Sequence, residues 1–179
     1  MSPLSIYGRT KAEAERAVLA YPRNTVVRFP LLFGPSLSSR PSFFDLQIKA
    51  LRQGQQISLF YDEWRTPLSL QVAARALMAL VGGAGGGPAG PLGLIHLGGP
   101  ERLSRLEMGQ RLTAFLGCDL AAIVPASRTR MDAAEPRPED VSLDSSRWRS
   151  LFPRQEWPPW REALSQLMLD VGVHSTFRE

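Results

Sequence analysis

Apolar side chains recur at helical spacing in several long stretches of the chain and cluster in short β-branched runs between them. Tyr7 to Ala20 reads as an amphipathic helix closed by Pro22, because proline cannot continue a helix. Asn24 to Phe29 follows as a short buried strand that stops at Pro30, and Leu31 to Pro35 reads as an apolar turn. A polar loop over Ser36 to Pro41 precedes a helix over Phe44 to Arg52, with Gly54 just beyond its end. Ile57 to Phe60 alternates as a strand, and Asp62 to Pro67 reads as a loop carrying two acids and an arginine. Leu70 to Val81 is a strongly apolar helix with Ser69 before it as an N-cap. Beyond a glycine-proline loop over Gly82 to Gly93, Leu94 to Leu97 is the next strand. Ser104 and Glu107 form a capping box that opens a helix to Leu116, with Gly117 at its end. Ala122 to Val124 reads as a strand and Arg128 to Glu139 as a polar loop. A short helix capped by Asp144 or Ser145 and a last helix over Trp160 to Val171, started by Pro158 and Pro159, complete the chain, with a frayed tail from Gly172. Helices and short strands alternate throughout, which predicts an α/β fold without internal repeats.

Composition narrows the partners. The chain has 179 residues, 44% hydrophobic and 21% charged, as expected of a globular protein with a real core. Its net charge of +4 comes from arginines scattered singly, so no basic block points to nucleic acid. The single Cys118 excludes an internal disulfide and reads as a small filler. His96 and His174 lack metal-ligand spacing. No apolar run is long enough to span a bilayer, and the first residues have neither the charge nor the apolar core of a signal peptide, so no membrane association is predicted and a cytoplasmic location is the default.

The candidate chemistry lies near the start. Tyr7 and Lys11 are four residues apart on a helix, so phenol and ammonium share one face. Beside a cofactor they would be a proton-transfer pair. Lys11 and Lys49 are the only lysines, which makes the spacing harder to ascribe to chance. The glycine run Gly85 to Gly93 also contains a dinucleotide-like pattern. It sits between a preceding helix and a following strand, the reverse of what a phosphate-binding turn needs, and Pro88 and Pro91 remove backbone donors. It is read as a connection only.

Five segments in order carry a resemblance: Tyr7–Glu15 (YGRTKAEAE), Val26–Pro35 (VVRFPLLFGP), Arg65–Leu77 (RTPLSLQVAARAL), Ile95–Leu112 (IHLGGPERLSRLEMGQRL) and Glu135–Arg147 (EPRPEDVSLDSSR). Together they resemble the extended short-chain dehydrogenase/reductase superfamily, in its branch of dTDP-4-dehydrorhamnose reductase-like, NAD(P)-dependent sugar reductases and epimerases. The resemblance implies the C-terminal part of a Rossmann-type α/β fold. Residues 1–35 and 94–100 would be a remnant of the dinucleotide-binding sheet, and 36–93 and 101–179 the substrate-binding region, all within one partial domain. It implies NAD or NADP as cofactor and a nucleotide-sugar or related small molecule as substrate, and it allows a homodimer. Tyr7 would be the general acid/base, with its phenolate favoured by Lys11, which would also bind the nicotinamide ribose. Arg28, Phe29, Pro30 and Leu31 would line the nicotinamide. Arg65 and Arg137 would hold the diphosphate, against the plainer expectation that they are solvated or pair with Asp62 or Glu139. Trp148, Trp157 and Trp160 are expected to pack. The glycine-rich turn and the serine or threonine that precede the tyrosine in this superfamily are not in the sequence, so the chain is expected to be truncated and to bind dinucleotide weakly alone. The superfamily also holds non-catalytic members, such as the regulatory subunit of methionine adenosyltransferase, which leaves a binding or regulatory role, or an inactive fragment, as the alternative.

Overall fold

The computed structural model describes residues 4–36, 38–82, 90–130, 135 and 137–170. In chain order the elements are α1 (Ile6–Leu19), β1 (Thr25–Arg28), β2 (Leu32–Phe33), α2 (Phe43–Arg52), β3 (Ile57–Phe60), β4 (Trp64–Arg65), β5 (Leu68–Ser69), α3 (Leu70–Gly82), β6 (Gly93–His96), β7 (Leu103–Ser104), α4 (Arg105–Leu116), β8 (Ile123–Ala126), α5 (Ser146–Leu151) and α6 (Trp160–Asp170). The long helices and the strands β1, β3 and β6 lie where the hydrophobic pattern puts them, but β1, expected to be buried, is half-buried along its whole length because Val26, Val27 and Arg28 line an open cavity. The core of the glycine run and the tail from Gly172 lie outside the described residues, as do parts of the loop before Arg137.

Strands pair two by two. β1 lies parallel to β6 with Thr25 opposite Gly93 and Arg28 opposite His96. β2 pairs parallel with β5, β3 parallel with β8, and β4 antiparallel with β7. The segment Leu31 to Pro35, expected as a turn, contains β2, and the expected loop over Asp62 to Pro67 contains β4. Two-residue ladders have no periodicity to read; their partners across the fold define them.

Helix ends follow capping chemistry. Ser104 accepts from the Glu107 amide while Glu107 reaches back to the Ser104 amide, and Ser42 and Asp45 do the same at α2. α4 ends at Gly117, whose φ of 67° suits glycine. At α5 the Asp144 carboxylate accepts from the Ser146 amide, while the Ser145 hydroxyl bridges to the backbone of Gly98.

Two apolar clusters hold the molecule. One gathers Phe33, Phe44, Ile48, Leu112, Trp160, Leu164 and Leu167 between α2, α4, α6 and their strands. The other gathers Val72, Ala76, Ile95, Leu97, Trp148 and Phe152 between α3, α5 and β6. Both buried tryptophans therefore pack, as expected. α1 belongs to neither cluster and buries only Ala12. Gly99 lets the chain after β6 approach the β4–β5 connection closely: a Cβ there would lie 1.8 Å from the Pro67 carbonyl oxygen.

Candidate active site

Ser5 starts α1 by accepting from the Gly8 amide. This sets Tyr7 in the first turn and Lys11 one turn later, with the Lys11 ammonium 5.4 Å from the centre of the Tyr7 ring. Tyr7 is 70% exposed, so its hydroxyl is open to a ligand. α1 is clamped to β1 by a two-pronged ion pair: Arg28 Nε donates to Glu15 Oε1 at 2.7 Å and Nη2 to Oε2 at 2.6 Å. The Arg28 hydrogen bond holds the Glu15 carboxyl below its ordinary value and raises Arg28 in return.

β1 then delivers Arg28, Phe29, Pro30 and Leu31 to the mouth of a cavity of about 620 Å³. Tyr7, Lys11, Arg28, Phe29, Pro30, Leu31 and Arg65 all line it, with Val141 and Leu143 on the far chain segment. Seven of the eight site residues expected from sequence thus face one space. The Arg28 carbonyl accepts from the Leu97 amide and the Leu31 carbonyl from the Leu68 amide, so both already carry one fold-building hydrogen bond.

Arg137 does not line that cavity, yet it meets Arg65 on a shared carboxylate. Glu63 is 1% exposed. Its Oε1 accepts from Arg65 Nη2 at 2.8 Å and from Arg137 Nη2 at 3.0 Å, and its Oε2 accepts from Arg105 Nε at 3.2 Å. Arg65 Nη1 also donates to the Trp64 carbonyl at 2.6 Å. Burial pushes the Arg65 and Arg105 guanidiniums down from their ordinary values against the pull of Glu63, but arginine starts so high that both stay charged.

The expected partners Asp62 and Glu139 are engaged elsewhere. Asp62 accepts from the Ser127 hydroxyl at 2.6 Å and the Arg128 amide at 2.9 Å, and Glu139 pairs with Arg128 at 2.9 Å. Glu63 and Arg105 are thus the site residues that sequence reasoning missed. The only signal for Glu63 was its place between Asp62 and Arg65; Arg105, forty-odd positions away at the start of α4, had none. Arg137 also lies over the Phe60 ring at 5.3 Å, and Phe60 lines a second cavity of about 540 Å³ with Tyr61, Ser127 and Arg130.

The arrangement combines a phenol and an ammonium on one wall with a guanidinium on another, backed by two more. It is suited to moving a proton at one place and holding an anion at another. Among the described residues, no group of three or more His, Cys, Asp or Glu side chains is gathered to hold a metal, and no helix is long and apolar enough to cross a membrane.

Residues 1–172 match the model of the RmlD substrate binding domain family. A dTDP-4-dehydrorhamnose reductase of Mycolicibacterium smegmatis is 30% identical over 173 residues, covering 94% of this chain and 50% of that protein. Methionine adenosyltransferase 2 subunit beta of Danio rerio is 24% identical over 165 residues, covering 91% of this chain and 51% of that protein. Among solved structures, dTDP-4-dehydrorhamnose reductase of Bacillus anthracis in complex with NADP superposes with a TM-score of 0.78 at 20% identity, over 94% of this chain and 57% of that one. The chain spans about half the length of the curated relatives it matches. It belongs to the RmlD substrate-binding domain family and has the fold of the extended short-chain dehydrogenases/reductases.

Proposed function

We propose that this chain carries the proton-transfer pair and the substrate-binding body of a nicotinamide-dependent reductase acting on a nucleotide-sugar carbonyl. The observation that supports this best is the single cavity lined by Tyr7, Lys11, the end of β1 and Arg65. The relatives named as dTDP-4-dehydrorhamnose reductases, one of them complexed with NADP, favour a dTDP-linked keto sugar and NADPH.

The residues present fit the nicotinamide end of such a cofactor: a lysine beside the phenol for the ribose hydroxyls, and the half-buried, largely apolar end of β1 for the ring. Bound there, the nicotinamide supplies a hydride. Tyr7 gives its phenolic proton to the substrate oxygen as that oxygen gains negative charge. Lys11, one turn along the helix with its ammonium 5.4 Å from the centre of the Tyr7 ring, holds the ribose hydroxyls beside it. The Glu15–Arg28 clamp fixes α1 against β1, so the proton donor keeps its place relative to Phe29, Pro30 and Leu31. Arg65 and Arg137 hold the diphosphate.

The assay is NADPH consumption with dTDP-4-dehydrorhamnose. Tyr7→Phe is expected to lower turnover by about 100-fold or more while leaving the NADPH affinity, followed by fluorescence, at that of the parent, however weak. Unchanged turnover would remove Tyr7 from this role. The match to the methionine adenosyltransferase subunit supports a second reading, a non-catalytic binding subunit. Saturable dinucleotide binding without turnover of any keto sugar would favour it.

A further inference from the structure

The cluster beneath the cavity holds more cation than its one acid can neutralise. Three guanidiniums converge on a single carboxylate, from three separate stretches of chain. Burying that carboxylate almost completely is costly unless its lone pairs are filled, and the arginines fill them. The other acids near the three arginines are engaged: Asp140 acts on Arg65 but is paired with Arg102, Glu107 closes the Ser104 cap, and Asp62 and Glu139 are turned to Ser127 and Arg128.

The donors left over are informative. A guanidinium carries five N–H groups in a fixed fork. Arg105 gives Nε to Glu63, and among the described residues its Nη1 and Nη2 have no protein acceptor. Arg137 gives Nε and Nη2 to the same carboxylate, and its Nη1 likewise has no protein acceptor there. Their side chains are 20% and 41% exposed, against 1% for Glu63, so the acid lies beneath and the unused donors lie toward solvent. Rings hold both arginines from the side, Phe43 against Arg105 and Phe60 against Arg137.

We propose that Glu63 is a positioning residue which holds Arg65, Arg105 and Arg137 as one pre-formed oxyanion site, with Arg105 as a third ligand-binding arginine. The inference rests on the reading of Arg65 and Arg137 as the diphosphate end of the substrate site. Glu63 acts from below: it touches the arginines and leaves their outer N–H groups aimed at phosphate oxygens. Removing its charge raises the net positive charge of the cluster, which by itself would strengthen anion binding. It also releases an arm. A glutamine has one acceptor oxygen, and its amide would face a guanidinium with donor against donor, leaving Arg105 or the Arg65–Arg137 pair without the bond that fixes it. Fork geometry, more than charge, sets affinity for a bidentate oxyanion ligand.

The test is titration calorimetry with inorganic pyrophosphate at fixed ionic strength, at a temperature where circular dichroism shows each variant folded. Glu63→Gln is expected to bind pyrophosphate about tenfold more weakly than the parent, and Glu63→Asp to recover part of the loss. Equal or tighter binding by Glu63→Gln, as added positive charge alone would give, overturns the positioning role. Arg105→Lys keeps the charge and loses the fork, and it carries the test if Glu63→Gln does not fold. Its affinity is expected to fall several-fold, and parent-like affinity overturns the assignment of Arg105. Arg161→Gln, on the exposed side of α6, should leave binding unchanged. Saturable parent binding that Glu63→Gln and Arg105→Lys both leave intact defeats this inference alone. A parent that gives no saturable binding defeats it together with the anion subsite, and the NADPH assay with Tyr7→Phe then decides the catalytic reading separately.

Discussion

The layer formed by α1 and β1 and the body formed by α2, α4 and α6 are built from the same alternation of helix and strand. Their interiors differ. In the body, Phe44, Ile48, Leu112, Leu164 and Leu167 are all at most 2% exposed, and both capping boxes belong to its helices. In the α1–β1 layer, every residue of β1 is only half-buried, α1 hides one alanine, and Ile6, Tyr7 and Val18 stand exposed. The body is held by apolar burial; the layer is held by the β1–β6 ladder and, between α1 and β1, by an ion pair, the Glu15–Arg28 clamp. The candidate proton donor sits on the layer, while Glu63 gathers Arg105 of α4 with Arg65 of β4 and Arg137 of the loop before α5. On the proposed reading, proton transfer falls to the part with fewer constraints and anion binding to the arginines packed around Glu63.

Mutations on either side of this divide should separate the two. The largest effect is expected in the body: Leu164→Ala should cost about 2–5 kcal/mol in urea unfolding, from lost burial plus a cavity. Val18→Ala on α1 should stay within about 0.5 kcal/mol, as exposed sites do. Comparable losses at the two positions would erase the contrast. Next is the close approach of the chain after β6 to the β4–β5 connection. Gly99→Ala places a methyl group against the Pro67 carbonyl, and backbone cannot step aside as a side chain can. A loss of about 1–3 kcal/mol is expected, with a lower melting temperature as readout; a neutral Gly99→Ala would mean that the segments around Pro67 and Gly99 move apart readily.

The smallest effect concerns the clamp. The carboxyl of Glu15 is held below its ordinary 4.5 by Arg28, so the ionised form is the one the fold favours. Its contribution is therefore fully present above that ordinary value and is lost as pH falls through the lower folded value. Glu15→Gln should cost up to about 1 kcal/mol at neutral pH, and the gap between parent and variant should narrow on acidification. A gap that does not depend on pH would show that the pair contributes through packing instead of charge.

Much of this organisation could be read from the chain. The helical periods, the capping box at Ser104 and the strand runs at Val26, Ile57 and Leu94 all lie where local physics puts them. The capping box at Ser42 escaped because Asp45 stands where the usual pattern has a glutamate or glutamine. The Tyr7–Lys11 pair was visible because one helix carries both residues. That Arg65 shares a cavity with them depends on the fold bringing the segment around Val141 across the end of β1, which no local pattern encodes. Glu63 was hidden for a related reason. Asp62, Glu63 and Glu139 are equivalent acids in the sequence, and only their tertiary neighbours decide which one is buried under the arginines.

The pairing of the strands has a consequence for how the chain reaches its fold. Among the described residues no strand is hydrogen-bonded to the next one along the chain: β1 meets β6, β2 meets β5, β3 meets β8 and β4 meets β7. Among the described residues there is thus no hairpin to act as a local seed. Closing β1 onto β6 brings together groups as far apart as Thr25 and Leu92, 67 positions distant, before any ladder bond rewards the loss of chain entropy. Helices capped by their own serines need no distant partner, whereas the ladder that carries Arg28 into place does. Contact order therefore puts the cavity lining contributed by β1 among the later features to assemble, an expectation that stopped-flow refolding of a β1 variant would check.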